Sequence, residues 1–299
     1  MTAAAPHPSP DPGVLAQRGP HLLDPQARDL AAAVQWWELP DWSDRWPVAV
    51  LGQGPPVLLL HGFDSSLLEF RRLAPLLSER HQLLIPDLHG FGFTPRRADA
   101  ASNPALVLDH LVDLLAAIES RIGPAPLGLI GASMGGSVAV ELARRCPERI
   151  ERLLLLAPAG LTGRPMPLPP GLDRLGVWFL SRPGVRRGLC RQAFADPAAA
   201  VGPAEEEVAS LHLQAPGWGA SLARFARSGG FAGCGDPLPG QPLQVLWGLN
   251  DRILRPPQLR AARALLGSRI ELVDRCGHLP HLDRPQLVAE RWLTTGDPT

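Results

Sequence analysis

The chain has 299 residues, 45% of them hydrophobic, with 29 basic residues against 29 acidic ones and so no net charge. That length suits one large domain, or a domain with an insertion. The apolar share can fill a sizeable core, and the charge balance argues against a nucleic-acid partner. Every basic residue is an arginine and there is no tyrosine, which excludes Ser–Lys dyads, Schiff-base chemistry and tyrosine acids; arginine is a poor general base.

In chain order, the opening "MTAAAPHPSPDPG" has neither the basic start nor the apolar stretch of a signal peptide. Its prolines at 6, 8, 10 and 12 predict disorder over the first dozen residues. A helix is expected from Pro25 to Leu39, followed by "WWELPDWSDRW". Trp36, Trp37, Trp42 and Trp46 are read as packing an N-terminal arm, residues 1–46, onto the main domain, with a belt at a pocket mouth as the alternative.

From residue 47, short apolar runs recur at Val48–Leu51, Val57–Leu60, Leu83–Ile85, Leu127–Ile130, Leu153–Ala157, Leu243–Trp247 and Ile270–Val273. Their brevity and lack of alternation suit strands buried on both faces of a parallel sheet. Between them lies helical sequence, most clearly from Pro104 to about Arg121. There Asn103 is placed to cap, and Leu111, Leu114, Leu115, Ile118 and Ile122 follow helical spacing. The pattern breaks from 161 to 232, where proline-rich turns alternate with helical pieces such as "EEEVASLHLQ". The expectation is an α/β fold, a mostly parallel central sheet with helices on both faces, built from 47–160 and 233–299 and interrupted by a helical lid at 161–232.

One stretch raises a chemical question. "GASMGG" sets Ser133 between glycines directly after an apolar run and before "SVAVELARR". Glycine permits the cramped strand-to-helix bend that pushes a serine out as a nucleophile, and a helix N-terminus aims N–H groups at the same spot. Such a serine needs a base. His278 follows a glycine after the last strand, with His281 as its competitor and the lesser choice. Asp251, after the penultimate strand, can orient the imidazole.

Taken together, "VLLLHGF" (57–63), "IPDLHGFGFT" (85–94), "LIGASMGG" (129–136), "LWGLNDRI" (246–253) and "GHLPHLDRP" (277–285) resemble the α/β-hydrolase superfamily over roughly residues 47 to 295. The resemblance implies a triad of Ser133, Asp251 and His278, with the backbone N–H groups of Phe63 and Met134 as oxyanion donors. His61 then braces the oxyanion turn, Asp87 has a structural role, and Asp64 is open to a supporting one. It implies no metal and no organic cofactor.

Relatives of similar architecture that open epoxides or remove halides use an aspartate where this chain has Ser133, and hydroxynitrile lyases of this fold rely on a lysine that is missing. The expected reaction is cleavage of an uncharged, largely apolar carboxylic ester through an acyl-enzyme on Ser133. A C–C hydrolase of ring-cleavage products is the alternative, although the tryptophan usual after its histidine is Leu279 here. A cofactor-free haloperoxidase-like member and a slow small-molecule receptor complete the set. Cys146, Cys190, Cys234 and Cys276 lack metal-type spacing and no apolar run approaches a bilayer span. The expected setting is therefore cytoplasmic and the partner a small-molecule substrate, with nothing to support membrane association.

Overall fold

The structure, a computed structural model, describes residues 13–97 and 100–294. The first dozen residues, with the disorder expected of them, lie outside that range. The chain begins with α1 (Gly13–Arg18) and α2 (Pro25–Ala32). Asp24 caps α2, its Oδ1 accepting the Ala27 N–H at 3.1 Å, and Pro25 occupies the first helical position.

The helix expected to reach Leu39 stops at Ala32, and Trp36 and Trp37 lie instead on β1 (Val34–Glu38). β-Branched and aromatic residues favour a pleated surface, and here they find a partner: β1 pairs antiparallel with β2 (Arg45–Leu51), Trp37 opposite Trp46. The boundary expected at 46/47 therefore falls inside β2, and the supposed arm supplies the edge of the sheet.

Seven apolar runs all become strands. After β2 come β3 (Pro56–Leu60), α3 (Ala74–Ser78), β4 (Gln82–Pro86), α4 (Pro104–Ile122), β5 (Leu127–Ala132), α5 (Met134–Arg145) and β6 (Ile150–Leu156). Asn103 caps α4 through Oδ1 and the Leu106 N–H at 3.0 Å. Between β6 and the next strand the chain forms only helices: α6 (Leu172–Leu180), α7 (Pro183–Ala193), α8 (Pro197–Ala200), α9 (Pro203–Ser210) and α10 (Trp218–Ser228). Proline opens three of these, α7, α8 and α9, where its missing N–H costs nothing. The sheet resumes with β7 (Leu243–Gly248), α11 (Pro256–Leu266) and β8 (Ile270–Val273), and α12 (Pro280–Asp283) and α13 (Pro285–Thr294) close the chain.

The eight strands run in the order β1-β2-β4-β3-β5-β6-β7-β8, antiparallel in the β1–β2 and β2–β4 pairs and parallel elsewhere. Alternate residues of one strand serve two cores. Leu58 and Leu60 pack with Val107, Leu111 and Leu114 of α4, Val138 of α5 and Leu266 of α11. Val57 and Leu59 pack with Leu77 of α3, Leu30 of α2 and Val288 and Trp292 of α13. Strands covered on both faces need no polar side, which is why their sequences do not alternate.

The tryptophans pack as the sequence suggests. Trp46 lies 4.2 Å from the His110 ring of α4, and Trp42 meets Trp46 edge-on and donates to Asp113 at 2.7 Å. Among the described residues no helix is long and apolar enough to cross a membrane.

Candidate active site

Ser133 sits at the junction of β5 and α5 with φ 51° and ψ −118°, a left-handed backbone that a serine adopts only under constraint. The constraint is visible. Its N–H donates to the Leu156 carbonyl, and its own carbonyl accepts the N–H groups of Gly136 and Ala159, all at 2.9 Å. The surrounding glycines are obligatory for space. A Cβ on Gly131 would lie 2.3 Å from the Gly135 oxygen, and one on Gly135 would lie 2.1 Å from the Leu60 oxygen. The small residues of "GASMGG" thus let strand, turn and helix close on one another while the hydroxyl projects.

The loops after β7 and β8 bring two further groups to this carboxyl edge, where open α/β sheets place their ligand sites. His278 Nε2 lies 2.9 Å from Ser133 Oγ, and its Nδ1 lies 2.9 Å from Asp251 Oδ2. Asp251 is fixed in turn, because Oδ1 accepts the N–H groups of Ile253 and Leu254 at 2.9 Å. An imidazole whose Nδ1–H points at a carboxylate presents Nε2 as the acceptor for the serine proton. Phe63 and Met134, in the loop after β3 and at the first residue of α5, line one cavity beside Ser133.

His281 does not join this chain. It is buried behind the turn, its Nε2 2.9 Å from Glu69 Oε1, and Glu69 Oε2 accepts the Gly62 N–H at 3.3 Å. Burial alone would raise Glu69, yet His281 and the other groups around it hold the carboxyl down at about 2. His61 braces the same turn: Nδ1–H donates to the Gly62 carbonyl at 2.8 Å and Nε2 accepts the Leu88 N–H at 3.0 Å. Burial lowers its pKa to about 4, so the ring is neutral. Asp87 joins two loops, accepting the N–H of Leu67 at 2.6 Å and of Phe93 at 2.7 Å, and burial pushes it up to about 7 against those two bonds.

Asp64, left open by the sequence, is the hub between this turn and the helical insertion. It is buried, with φ 50°. It receives Arg186 of α7 at 2.6 Å, the Trp218 indole N–H of α10 at 2.8 Å and His212 Nε2 at 3.2 Å. Burial would raise its pKa, but the His212 hydrogen bond and the Arg186 charge hold it below the usual carboxylate range.

The insertion also grips the other loop. The His278 N–H donates to Ala193 O at 2.8 Å, and Asp283 accepts the N–H groups of Gly277 and Ala195. Sequence reasoning missed Glu69, Arg186, His212 and Asp283. Their partners lie from 6 to 148 positions away, and only the charged character of "HGFDSSLLEF" hinted at work near the turn.

The cavity beside Ser133 holds about 320 Å³ and is walled by Phe63, Met134, Met166, Leu168, Phe225 and Phe231 with small residues between. Among the described residues no group of three His, Cys, Asp or Glu could hold a metal ion.

A mostly parallel sheet with a strained serine turn after β5, and an aspartate and a histidine on the later loops, is the architecture of an α/β hydrolase. The sequence pattern of the Alpha/beta hydrolase family matches residues 57–291, and the chain belongs to that family, whose members are hydrolases. It is 30% identical over 248 residues to a 2-hydroxymuconate semialdehyde hydrolase of Pseudomonas sp. (strain CF600), covering 78% of this chain and 83% of that one. It is also 30% identical over 251 residues to the alpha/beta hydrolase domain-containing protein VTE7 of Arabidopsis thaliana, covering 82% and 74%.

Among solved structures it resembles the 2-hydroxy-6-oxo-6-phenylhexa-2,4-dienoate hydrolase of Rhodococcus sp. strain RHA1, with a TM-score of 0.69, 24% identity and coverage of 87% and 98%. A thermophilic esterase of Thermogutta terrifontis gives a TM-score of 0.68, 24% identity and coverage of 88% and 98%. These two likenesses concern the fold alone.

Proposed function

We propose that the protein hydrolyses an uncharged, largely apolar carboxylic ester through an acyl-enzyme on Ser133. The observation that carries this reading is the continuous hydrogen-bonded line Ser133–His278–Asp251 beside an apolar cavity. Ser133 Oγ attacks the carbonyl as His278 takes its proton, and Asp251 stabilises the imidazolium. The proton passes to the departing alcohol, and water repeats the sequence to release the acid. The Phe63 and Met134 N–H groups face the developing oxyanion, where one such donor is typically worth about 10²- to 10³-fold in rate. The insertion acts as the lid, contributing Met166, Leu168, Phe225 and Phe231 to the cavity wall.

The chemistry of that wall favours a neutral substrate. Among the described residues no charged side chain lines it, and an unpaired carboxylate in such surroundings is costly. Arg96 and Arg186 are already engaged: Arg96 donates to the carbonyls of Gly90, Gly92 and Thr94, and Arg186 to Asp64. A second reading, C–C hydrolysis of an oxo-dienoate, draws on the relative from Pseudomonas.

The test measures kcat/KM for p-nitrophenyl esters from acetate to long acyl chains beside a 2-hydroxy-6-oxo-dienoate. The ester reading expects a rise towards medium chains, by up to about 0.8 kcal/mol per buried CH₂ until the cavity fills. Faster turnover of the dienoate selects the second reading. Stoichiometric fluorophosphonate labelling with negligible turnover of every substrate identifies a slow receptor instead.

A further inference from the structure

Helix α6 is apolar on two sides. Asp173, Val177 and Leu180 turn inward, Val177 and Leu180 packing on the core with α10. Leu172, Leu175, Trp178 and Phe179 occupy the opposite arc and are 52 to 56% exposed. The preceding "GRPMPLPPG" adds Met166 at 81% and Leu168 at 39%. A helix apolar all round belongs inside a protein or against another apolar phase, and six large side chains gathered within fifteen residues exceed the scattered exposure normal for a soluble surface.

Three features indicate what covers this face. Every exposed charge from 162 to 182 is positive: Arg164, Arg174 and Arg182 are exposed, whereas the single acid, Asp173, is buried and bonded to Arg227 at 2.6 Å. The backbone of 165–170 carries few donors, since four of its six residues are proline and the Leu168 N–H is bonded to Ala226 O. This stretch can therefore enter a non-aqueous phase at little cost in stranded N–H groups.

Beside the face, between α6 and α10, lies a cleft of about 270 Å³ floored by Gly219, Ala220 and Ala223 and flanked by Arg174, Arg224 and Arg227. Small residues leave room there for a group the size of a phosphate, and guanidinium forks suit its oxygens.

We propose that the outer face of α6 and the 165–170 loop dock onto a bilayer bearing anionic phospholipids, with the arginine cleft receiving a headgroup phosphate. Apolar side chains with arginines alongside and a tryptophan at the boundary are the recurrent composition of surfaces that lie in the lipid interface. Arg182 stacks over Trp178 at 5.1 Å, placing a cation at the edge of the apolar patch. Met166 and Leu168 line the cavity beside Ser133 as well, so the docked face is continuous with the cavity mouth and an apolar substrate can pass from lipid to pocket. The docking does not depend on which bond is cleaved at Ser133.

The test is flotation of the full chain with vesicles of phosphatidylcholine alone and with one-third phosphatidylglycerol, which reads binding without turnover. The chain should float with the anionic vesicles, and less so in high salt. Trp178→Ser combined with Phe179→Ser should weaken this by about tenfold or more, with an unchanged Tm and unchanged hydrolysis of a water-soluble acetate ester. Arg174→Glu and Arg182→Glu should each cost about fivefold on anionic vesicles. Failure to float, or equal flotation with both vesicle types, overturns the proposal. So does sedimentation showing a dimer that the Trp178→Ser, Phe179→Ser chain no longer forms, which would assign the face to a second copy.

Discussion

The carboxyl edge of the sheet and the outer side of the helical insertion are built on opposite rules. At the edge, the left-handed turn of Ser133 is held by three backbone hydrogen bonds, and glycines at 131 and 135 leave no space for a side chain. Asp251 is bonded through both oxygens. On the insertion, α6 and the proline-rich loop before it display large apolar side chains to the outside.

The two regions meet through a few buried polar ties. Asp64 takes Arg186, His212 and Trp218, and Glu205 of α9 lies against Arg71 and Arg72. Geometry that must hold to a fraction of an ångström is kept on the sheet, while surfaces that select and dock are free to vary on the outer side of the insertion.

The division can be broken at its hardest point first. Asp251→Asn should lower kcat by about 10⁴-fold with the fold intact, because an amide favours the wrong tautomer of His278. Steady-state kinetics beside circular dichroism checks this, and a near-normal rate would assign the role to another carboxylate. His278→Ala should be comparably severe. His281→Ala should retain far more activity and lose stability instead, since it strands Glu69 without its partner. Equal rate losses would put His281 back in contention as the base.

The tie between the regions comes next. Asn tolerates the left-handed backbone of residue 64, so Asp64→Asn removes the charge facing Arg186 and keeps the turn. It should cost about 2 to 3 kcal/mol of stability, the scale of breaking a buried ion pair. It should also lower kcat about tenfold by loosening the turn that carries Phe63, with KM changed less. A stability loss with kcat untouched would show that the insertion is tied to the fold without steadying the turn.

The pH response of stability should follow the buried histidines. Burial lowers His61 and His89 to about 4 and His110 to about 3. Above pH 6.5 these rings are neutral whether folded or not, and their contribution is fully present. Below it the unfolded chain takes up protons that the folded chain refuses, so stability falls as pH drops from 6.5 towards 3–4. Asp87, raised to about 7, acts the other way between about 4 and 7 but is one group against three. Calorimetry from pH 7 to 4 should show a falling Tm, about 2 to 4 °C per kcal/mol lost. His110→Phe should lessen the fall, because neither ring nitrogen of His110 has a hydrogen-bond partner. A flat profile would contradict the neutral, buried state of these rings.

The smallest effect expected on turnover belongs to the outer face, where Leu175→Ser should change the hydrolysis of a soluble acetate ester by less than about twofold, as for surface changes generally.

Legibility follows the same division. Apolar runs, caps and turn glycines act within a few residues, so seven strands, α4 with its Asn103 cap and the Ser133 bend could be read directly from the chain. The order Ser133, Asp251, His278 was legible because each follows a strand of recognisable type. Trp36 and Trp37 misled, because a five-residue edge strand between a helix and a turn is chosen by its pairing with β2 and not by its own pattern. Asp64 could be read only as open to a supporting role, since nothing local distinguishes a solvated aspartate from one that gathers three side chains from 122 to 154 positions away.

By itself, then, the sequence determined where strands and helices form, which serine is forced into a strained bend, and that the segment 161–232 interrupts the sheet pattern. These depend on backbone sterics and on burial periodicity, both written over short spans. Only the tertiary structure decided that His281 turns to Glu69, that Glu69 and Asp64 steady the turn carrying Phe63 from two sides, and that α6 keeps an apolar face outside. Each of those depends on which surfaces the fold brings within a few ångströms. Contacts between distant positions depend on the packing of the whole chain, which no local window contains.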